Sequence, residues 1–430
     1  MAIAESVQPS APAETSEVSA FHRVFSVVGL IALSGCGASI VLRLFPLGAV
    51  FGSSLPFVIL TSTIYLIAFC LVVNRLVSFF VIVSKNPPLF ALLVLAWMSL
   101  GWTPDFDLTL QRLIALTGTM IFAVYLSLYF DEEEGLKRII WALALIAVFS
   151  FVIIFLDPSF GIQSGEWRGL YGHKNGLGRE MALAAILFFL FLPQEWGRRT
   201  RLMLVAITVV MVLFSKSGQG QVLAAFVIPA GLVLRRFFRR GALFICGSLI
   251  LSIVVLILAM PVYSVIQSTV LDSMGRDETL TGRTELWKTV IEDTMRYHPM
   301  LGYGYTGALQ LGGSEAAAGD VGGHAHNGYV QLFSELGFVG ISLFALLSIL
   351  LWKNMILRAM FFRTRYDQFM IVFMCYFYVL SIVASPILDK NSIIWLCFVY
   401  VAIRASQRPA LAQLQGREMG QPGTALQPPA

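Results

Sequence analysis

Long apolar runs divided by short polar breaks make up most of this chain. Twelve runs come close to the length of about 20 mostly apolar residues that a helix needs to cross a bilayer. They are 24–42, 49–73, 88–103, 108–130, 136–156, 177–193, 201–215, 219–234, 242–264, 327–351, 367–386 and 391–404. The pattern predicts an all-α polytopic membrane protein of about 12 transmembrane helices. Leu76 to Val83 reads as a re-entrant or interfacial segment. The longest interval without a run is Tyr263–Asn327. There Leu286, Trp287, Val290, Ile291 and Met295 recur at helical spacing, which predicts an amphipathic helix lying at the interface. Thr281 is its expected N-cap and His298-Pro299 its stop.

Composition agrees with the pattern. Of the 430 residues 57% are hydrophobic and 13% charged, against roughly 25% charged in soluble domains. The net charge of +5 does not point to nucleic acid, because the basic residues punctuate apolar runs and form no face. The five cysteines sit inside apolar segments with no CxxC spacing, so they read as core residues and not as a disulfide frame or metal site. Residues 1–20 hold three Glu and no basic residue, unlike a signal peptide, and read as a disordered cytoplasmic tail. Residues 21–404 read as a single membrane domain, and 405–430 as a second flexible cytoplasmic tail.

Basic residues set the orientation. With the N-terminus inside, 19 of the 30 Lys and Arg fall on the inner side, as the positive-inside rule requires. The outer segments are then 157–176, 215–218 and the large periplasmic loop 265–326. In or just beside them nevertheless lie Arg168, Lys174 and Arg179, then Lys216, then Arg276, Arg283, Lys288 and Arg296. Cations held against the topology rule point to an anionic ligand on the outer face, the alternative being contact with lipid phosphates.

Three constellations follow. In Glu166–Arg179, four glycines permit close backbone approach, Arg168, His173, Lys174 and Arg179 supply cations or donors, and Asn175 adds an amide. Trp167 and Tyr171 either stack on a sugar or anchor at the interface. In Ser215–Gln221, Lys216 either snorkels or points at the site. In the large loop, Arg283 falls in the first turn of the amphipathic helix, where an anion is already favoured, and Glu285 and Trp287 follow it. Gly302-x-Gly304-x-x-Gly307 has no strand before it, so it is not a dinucleotide site; it reads as a loop passing close to another backbone or a substrate. His324 and His326 lack further ligands for a metal. One imidazole at the mouth of the tenth run, beside Asn327, reads as a base or donor.

The order of these motifs resembles a known family. Gly282-Arg-x-x-x-Trp287, His298-Pro-x-x-Gly-x-Gly304, His326-Asn-Gly-Tyr329 and Glu335-Leu-Gly-x-x-Gly340 resemble the O-antigen ligase/polymerase superfamily, and within it the Wzy-type exopolysaccharide polymerases. Gly172-His-Lys-Asn175 and Ser215-Lys-Ser217 resemble that family's shorter outer loops. The resemblance spans roughly residues 100–400. It implies a GT-C-like membrane-embedded fold and inverting glycosyl transfer with no metal or other cofactor. The implied donor is an oligosaccharide on a polyprenyl diphosphate. The implied place is the bacterial inner membrane, with both termini cytoplasmic and the site facing the periplasm. Membrane lipids, chain-length regulators and export proteins are the implied partners, and nucleic acid is not. Arg283 and His326 match the family's loop arginine and histidine. Relatives often carry Arg or Lys where this chain has Gly218.

Charge joins the two readings. A departing lipid diphosphate gains negative charge that preplaced cations stabilise most in the transition state. Arg283, Arg168 and Lys216 are the expected cations, with Lys174 and Arg179 behind them. His326 is the expected proton acceptor and Glu285 its reserve. His173, Asn175, Trp287, His324 and Asn327 are the expected glycan or diphosphate contacts. A ligase passing the glycan to lipid A-core differs only in its acceptor. A polysaccharide or lipid transporter would carry charges near mid-membrane and internal repeats, whereas here the polar residues gather between spans.

Overall fold

Polar breaks in the sequence become helix ends and sharp bends. The computed structural model describes residues 19–44, 55–237, 280–307, 325–362 and 364–407. The helices are α1 (Ala20–Ala32), α2 (Gly37–Leu44), α3 (Leu55–Val73), α4 (Leu76–Lys85), α5 (Pro87–Met98), α6 (Phe106–Tyr129) and α7 (Glu132–Leu156). They continue as α8 (Lys174–Phe191), α9 (Gly197–Phe214), α10 (Gly218–Phe237), α11 (Leu280–Tyr297), α12 (Gly328–Phe361), α13 (Arg365–Val383) and α14 (Ile393–Ser406). A two-stranded antiparallel hairpin, β1 (Ile162–Gln163) and β2 (Glu166–Trp167), lies between α7 and α8. Its turn residues Ser164 and Gly165 both have positive φ, as a tight hairpin turn requires. Asp105, Asp131 and Asn327 cap α6, α7 and α12, and Thr364 with Asp367 forms a capping box on α13.

Five helices are long and apolar enough to cross a membrane: α3, α6, α7, α12 and α13. There are up to seven if α4 with α5 and α8 with α9, each pair bent by 96°, count as one span each. Among the described residues the expected twelve is therefore not reached. The bends fall where proline ends a helix, at Asn86-Pro87-Pro88 and Leu192-Pro193. The expected span 24–42 is two helices, because the chain turns at Leu33–Cys36. There Gly37 lies so close to Ala32 that a Cβ on it would meet the Ala32 carbonyl oxygen at 2.0 Å. The expected span 242–264 and most of both tails lie outside the described residues.

The short helix α14 explains why its run has no polar face. From Ile393 to Ile403 every side chain is buried, packed among α4, α6, α12 and α13. A helix apolar on all sides belongs in an interior. Apolar residues exposed around the bundle, among them Leu66, Phe155, Leu156 and Ile349, form the surface a bilayer would cover. The result is an all-α, multi-pass membrane protein.

Hydrogen bonds and ion pairs sort to two ends. Arg43 pairs with Asp157 at one end, which also holds 99–105, 162–173, 215–217, 298–307 and 384–392. At the other, Arg358 joins Asp367, Glu132 and the carbonyls of Arg404 and Gln407. Segments that the sequence assigns to one side of the membrane thus meet one another.

Candidate active site

The hairpin loop is organised by its own charged residues. Arg168 donates to the Phe160 carbonyl at 2.7 Å and to Gln163 at 3.2 Å, and lies over the Phe160 ring. Lys174 pairs with Glu166 at 3.1 Å, with both side chains largely buried. His173 caps α8, its ring nitrogen accepting the Asn175 N–H at 3.2 Å. These three side chains were expected to face a ligand; their described contacts shape the loop.

Asn175 and Arg179 face other elements. The Ser217 hydroxyl donates to Asn175 Oδ1 at 3.0 Å, joining the 215–217 turn to the start of α8. Ser215 accepts the Ser217 N–H, and Ser217 the Gly220 N–H. Between the two serines Lys216 has φ 50° and is exposed. The approach of α8 to α10 depends on glycine: a Cβ on Gly220 would lie 2.6 Å from the Gly178 carbonyl oxygen. Arg179 reaches Asp389 at 3.8 Å. The adjacent Glu180 is fully buried and accepts the Tyr171 hydroxyl at 2.6 Å.

The large loop is threaded into a broken helix. Gly337 interrupts α12 with φ 61° and ψ −159°. Such a break strands backbone groups that lipid cannot satisfy. Here Tyr303 N–H donates to Ser334 O and Gly304 N–H to Glu335 O, both at 2.9 Å. In return Phe338 N–H donates to Pro299 O at 2.9 Å and Val339 N–H to Met300 O at 3.1 Å. Gly302, with φ 64°, fits because a Cβ there would lie 2.5 Å from the Glu335 carbonyl carbon. The glycine motif therefore approaches a backbone, one of its two expected targets.

Next to this break lies a charged cluster. Glu335 is buried and accepts from Gln331 Nε2 at 2.9 Å. The charges of Arg112 and Lys390 act on it. Burial lowers the Lys390 ammonium below the ordinary lysine value, and the charge of Arg112 pushes the same way; Asp389 and Glu335 resist. Tyr305, fully buried, donates its hydroxyl to Leu388 O at 2.8 Å, and burial pushes its phenol well up. Ser217 thus meets Asn175, Arg179 one turn further along the same helix reaches Asp389, and Tyr305 binds the carbonyl of Leu388 beside Asp389.

The helix expected over 282–297 spans Leu280–Tyr297. Thr281 lies inside it and is not its cap, because helical backbone already begins at Leu280. The backbone of Arg283 and Glu285 belongs to the first turns of α11; their side chains, like all of His324, lie outside the described residues. Trp287, one turn beyond Arg283, donates its indole N–H to Ala325 O at 2.7 Å. His326 follows with φ 50°, and Asn327 caps α12 by accepting the Tyr329 and Val330 N–H groups. The loop with His326 and the helix with Arg283 are therefore in direct contact.

Residues 201–345 match the model of the O-antigen ligase family. That interval runs from α9 past the break in α12 and includes the 215–217 turn, α11 and His326. The chain is also 27% identical over 276 residues to exopolysaccharide production protein ExoQ of Rhizobium meliloti (strain 1021). Both matches support the O-antigen ligase/polymerase family. The similarity covers 59% of this chain and 62% of that relative, less than two thirds of its length.

Arg112, Glu180, Glu335, Asp389 and Lys390 escaped the sequence reading as site residues. Asp389-Lys390 reads as an ordinary connector between two apolar runs, and the others as single charges in or beside a span. The signal available was the cost of a charge within an apolar run, which is high unless a partner or function retains it.

Proposed function

We propose that the protein polymerises exopolysaccharide repeat units by inverting, metal-independent glycosyl transfer from a polyprenyl-diphosphate-linked glycan. The reaction takes place on the outer face of the bacterial inner membrane. In this reading His326 accepts the proton of the acceptor hydroxyl. The freed oxygen attacks the anomeric carbon of the donor from the face opposite the diphosphate. The bond from that carbon to the phosphate oxygen breaks, and the lipid diphosphate leaves with the electron pair. Arg283, at the N-terminal turn of α11, takes the growing charge together with the dipole of that helix. Lys216 and Arg179 approach from the adjoining turn and helix, and Glu285 stands in reserve as base. Arg168, His173 and Lys174 hold the hairpin loop in this scheme, and Asn175 positions the 215–217 turn. The observation that carries the reading is the hydrogen bond from Trp287 to Ala325, which joins the helix of Arg283 to the loop of His326.

The test is reconstitution of the full chain in liposomes with lipid-linked repeat units as sole substrate and no added metal. A ladder of longer lipid-linked glycans is expected. Arg283→Ala and His326→Ala, each purified folded, are expected to slow ladder formation on the order of 10²–10⁴-fold, to a residual rate that can still be measured. Full yield from Arg283→Ala would remove the diphosphate role. The match to the O-antigen ligase family favours one second reading, a ligase, for which we take lipid A-core as the acceptor. Product found only on added lipid A-core, with no ladder in its absence, would decide for a ligase.

A further inference from the structure

Trp287 was expected to contact the glycan, yet its polar atom is engaged elsewhere. The residue is half-buried in α11, and its indole N–H meets the carbonyl of Ala325, itself fully buried. His326 comes next, in the left-handed region, and Asn327 after it is fixed as the cap of α12. His326 therefore sits between two anchored neighbours. A non-glycine residue keeps such a backbone only where its surroundings over-determine it.

The far end of α11 is anchored as well. The Tyr303 hydroxyl donates to Asp293 at 2.6 Å, and the His298 ring packs edge-on against Tyr303. The following loop is locked into the α12 break by four backbone hydrogen bonds. With one end of α11 held there, the bond from Trp287 fixes how the other end meets the His326 loop.

We infer that Trp287 is a positioning residue for His326. Its indole N–H holds the Ala325 carbonyl and so sets the direction in which the imidazole leaves the backbone, in register with the turn that carries Arg283. This rests on the assignment of His326 as proton acceptor. Freed from that bond, the 325–326 backbone relaxes and the imidazole leaves the attack line, and a displacement of an ångström or so at a reacting group costs on the order of 10²-fold in rate. A tryptophan that stacked on a sugar would act on glycan binding instead.

Trp287→Phe keeps a ring and removes the donor. In the liposome assay it is expected to lower turnover on the order of 10²-fold while the KM for the lipid-linked unit stays within about twofold. The deciding measurement is the cycle with His326→Ala. The double variant is expected to be no slower than His326→Ala alone, because Trp287 acts only through the imidazole. Losses that multiply, or a raised KM at unchanged turnover, would overturn the inference. Should the Phe variant not fold, Trp287→Gln, which keeps a side-chain N–H, is compared with Trp287→Met, which does not; equal turnover in that pair overturns it too. Full turnover in His326→Ala would instead sink the assignment of His326, so the two failures are distinguishable.

Discussion

Asp157 shows how one residue ends a helix and begins a loop. Its carboxylate caps the single turn Pro158–Gly161, accepting the Ser159 hydroxyl at 2.5 Å and the Phe160 N–H at 3.3 Å, and it pairs with Arg43. These partners, the Ser159 hydroxyl first, hold it below the usual carboxylate range. A pKa depressed in the folded state gives stability that is present above the unfolded value of about 3.9 and lost as pH falls through the folded value. Asp157→Asn should therefore lower the thermal midpoint at neutral pH, and the gap to the parent should close as pH falls from about 5 to about 2. An unchanged gap in acid would show that the carboxylate charge is not what holds the turn. At this scale the sequence was a partial guide. It marked Arg168, His173 and Lys174 as cations or donors for a ligand, but it could not show that they bond instead to their chain neighbours Phe160, Gln163, Asn175 and Glu166. Asp389 and Glu335 escaped because their significance comes from Arg179, Arg112 and Lys390, which are distant in the chain.

Among the elements, α12 carries the most information. Its break was legible only as two separate glycine motifs, 302–304 and 337–340. No local pattern reveals that one fills the gap in the other, because the pairing is long-range and made by backbone. Gly337 has φ 61°, and a Cβ there would lie 2.3 Å from the Met300 carbonyl. Any side chain would bring both left-handed strain and a clash with backbone that cannot move without losing its bonds to Phe338 and Val339. Gly337→Ala is expected to cost about 2–5 kcal/mol, combining strain with overpacking. Gly302→Ala should behave alike. Gly101→Ala meets nothing within 4 Å and should change stability by less than about 0.5 kcal/mol. Thermal midpoints of the three detergent-purified variants check this ranking. A Gly337→Ala protein as stable as Gly101→Ala would mean that the break is not locked by the loop. The helix α11 was read well because its apolar stripe is local; its start was misplaced because capping preference alone does not fix a boundary.

Among the described residues of the whole molecule, the charged clusters gather at two ends. One end has the site cluster. The other has Arg358, only 5% exposed, with Asp367 Oδ1 at 3.0 Å, Glu132 Oε1 at 2.6 Å and two backbone carbonyls. That guanidinium ties α7, α12, α13 and the end of α14 together. The sequence made the class and the grouping of segments legible, since apolar runs and basic breaks are local signals. Among the described residues it counted more straight spans than the helices form, because an apolar run looks the same whether it crosses straight or bends at a proline. Removing one partner of a buried ion network strands the others, at about 3–5 kcal/mol, whereas removing the whole network can be nearly neutral. Arg358→Met should therefore destabilise the protein by that amount, and adding Glu132→Gln and Asp367→Asn should restore much of the loss. Combined with Asp157→Asn, the Arg358→Met loss should add within about 0.5 kcal/mol, since the two networks share no partner. Below its unfolding temperature Arg358→Met should also keep the parent KM, because the site cluster lies at the other end. Chemical denaturation in detergent and the liposome assay measure the two quantities. A large change in KM for a folded Arg358→Met protein would show that the two ends are coupled through the helices between them.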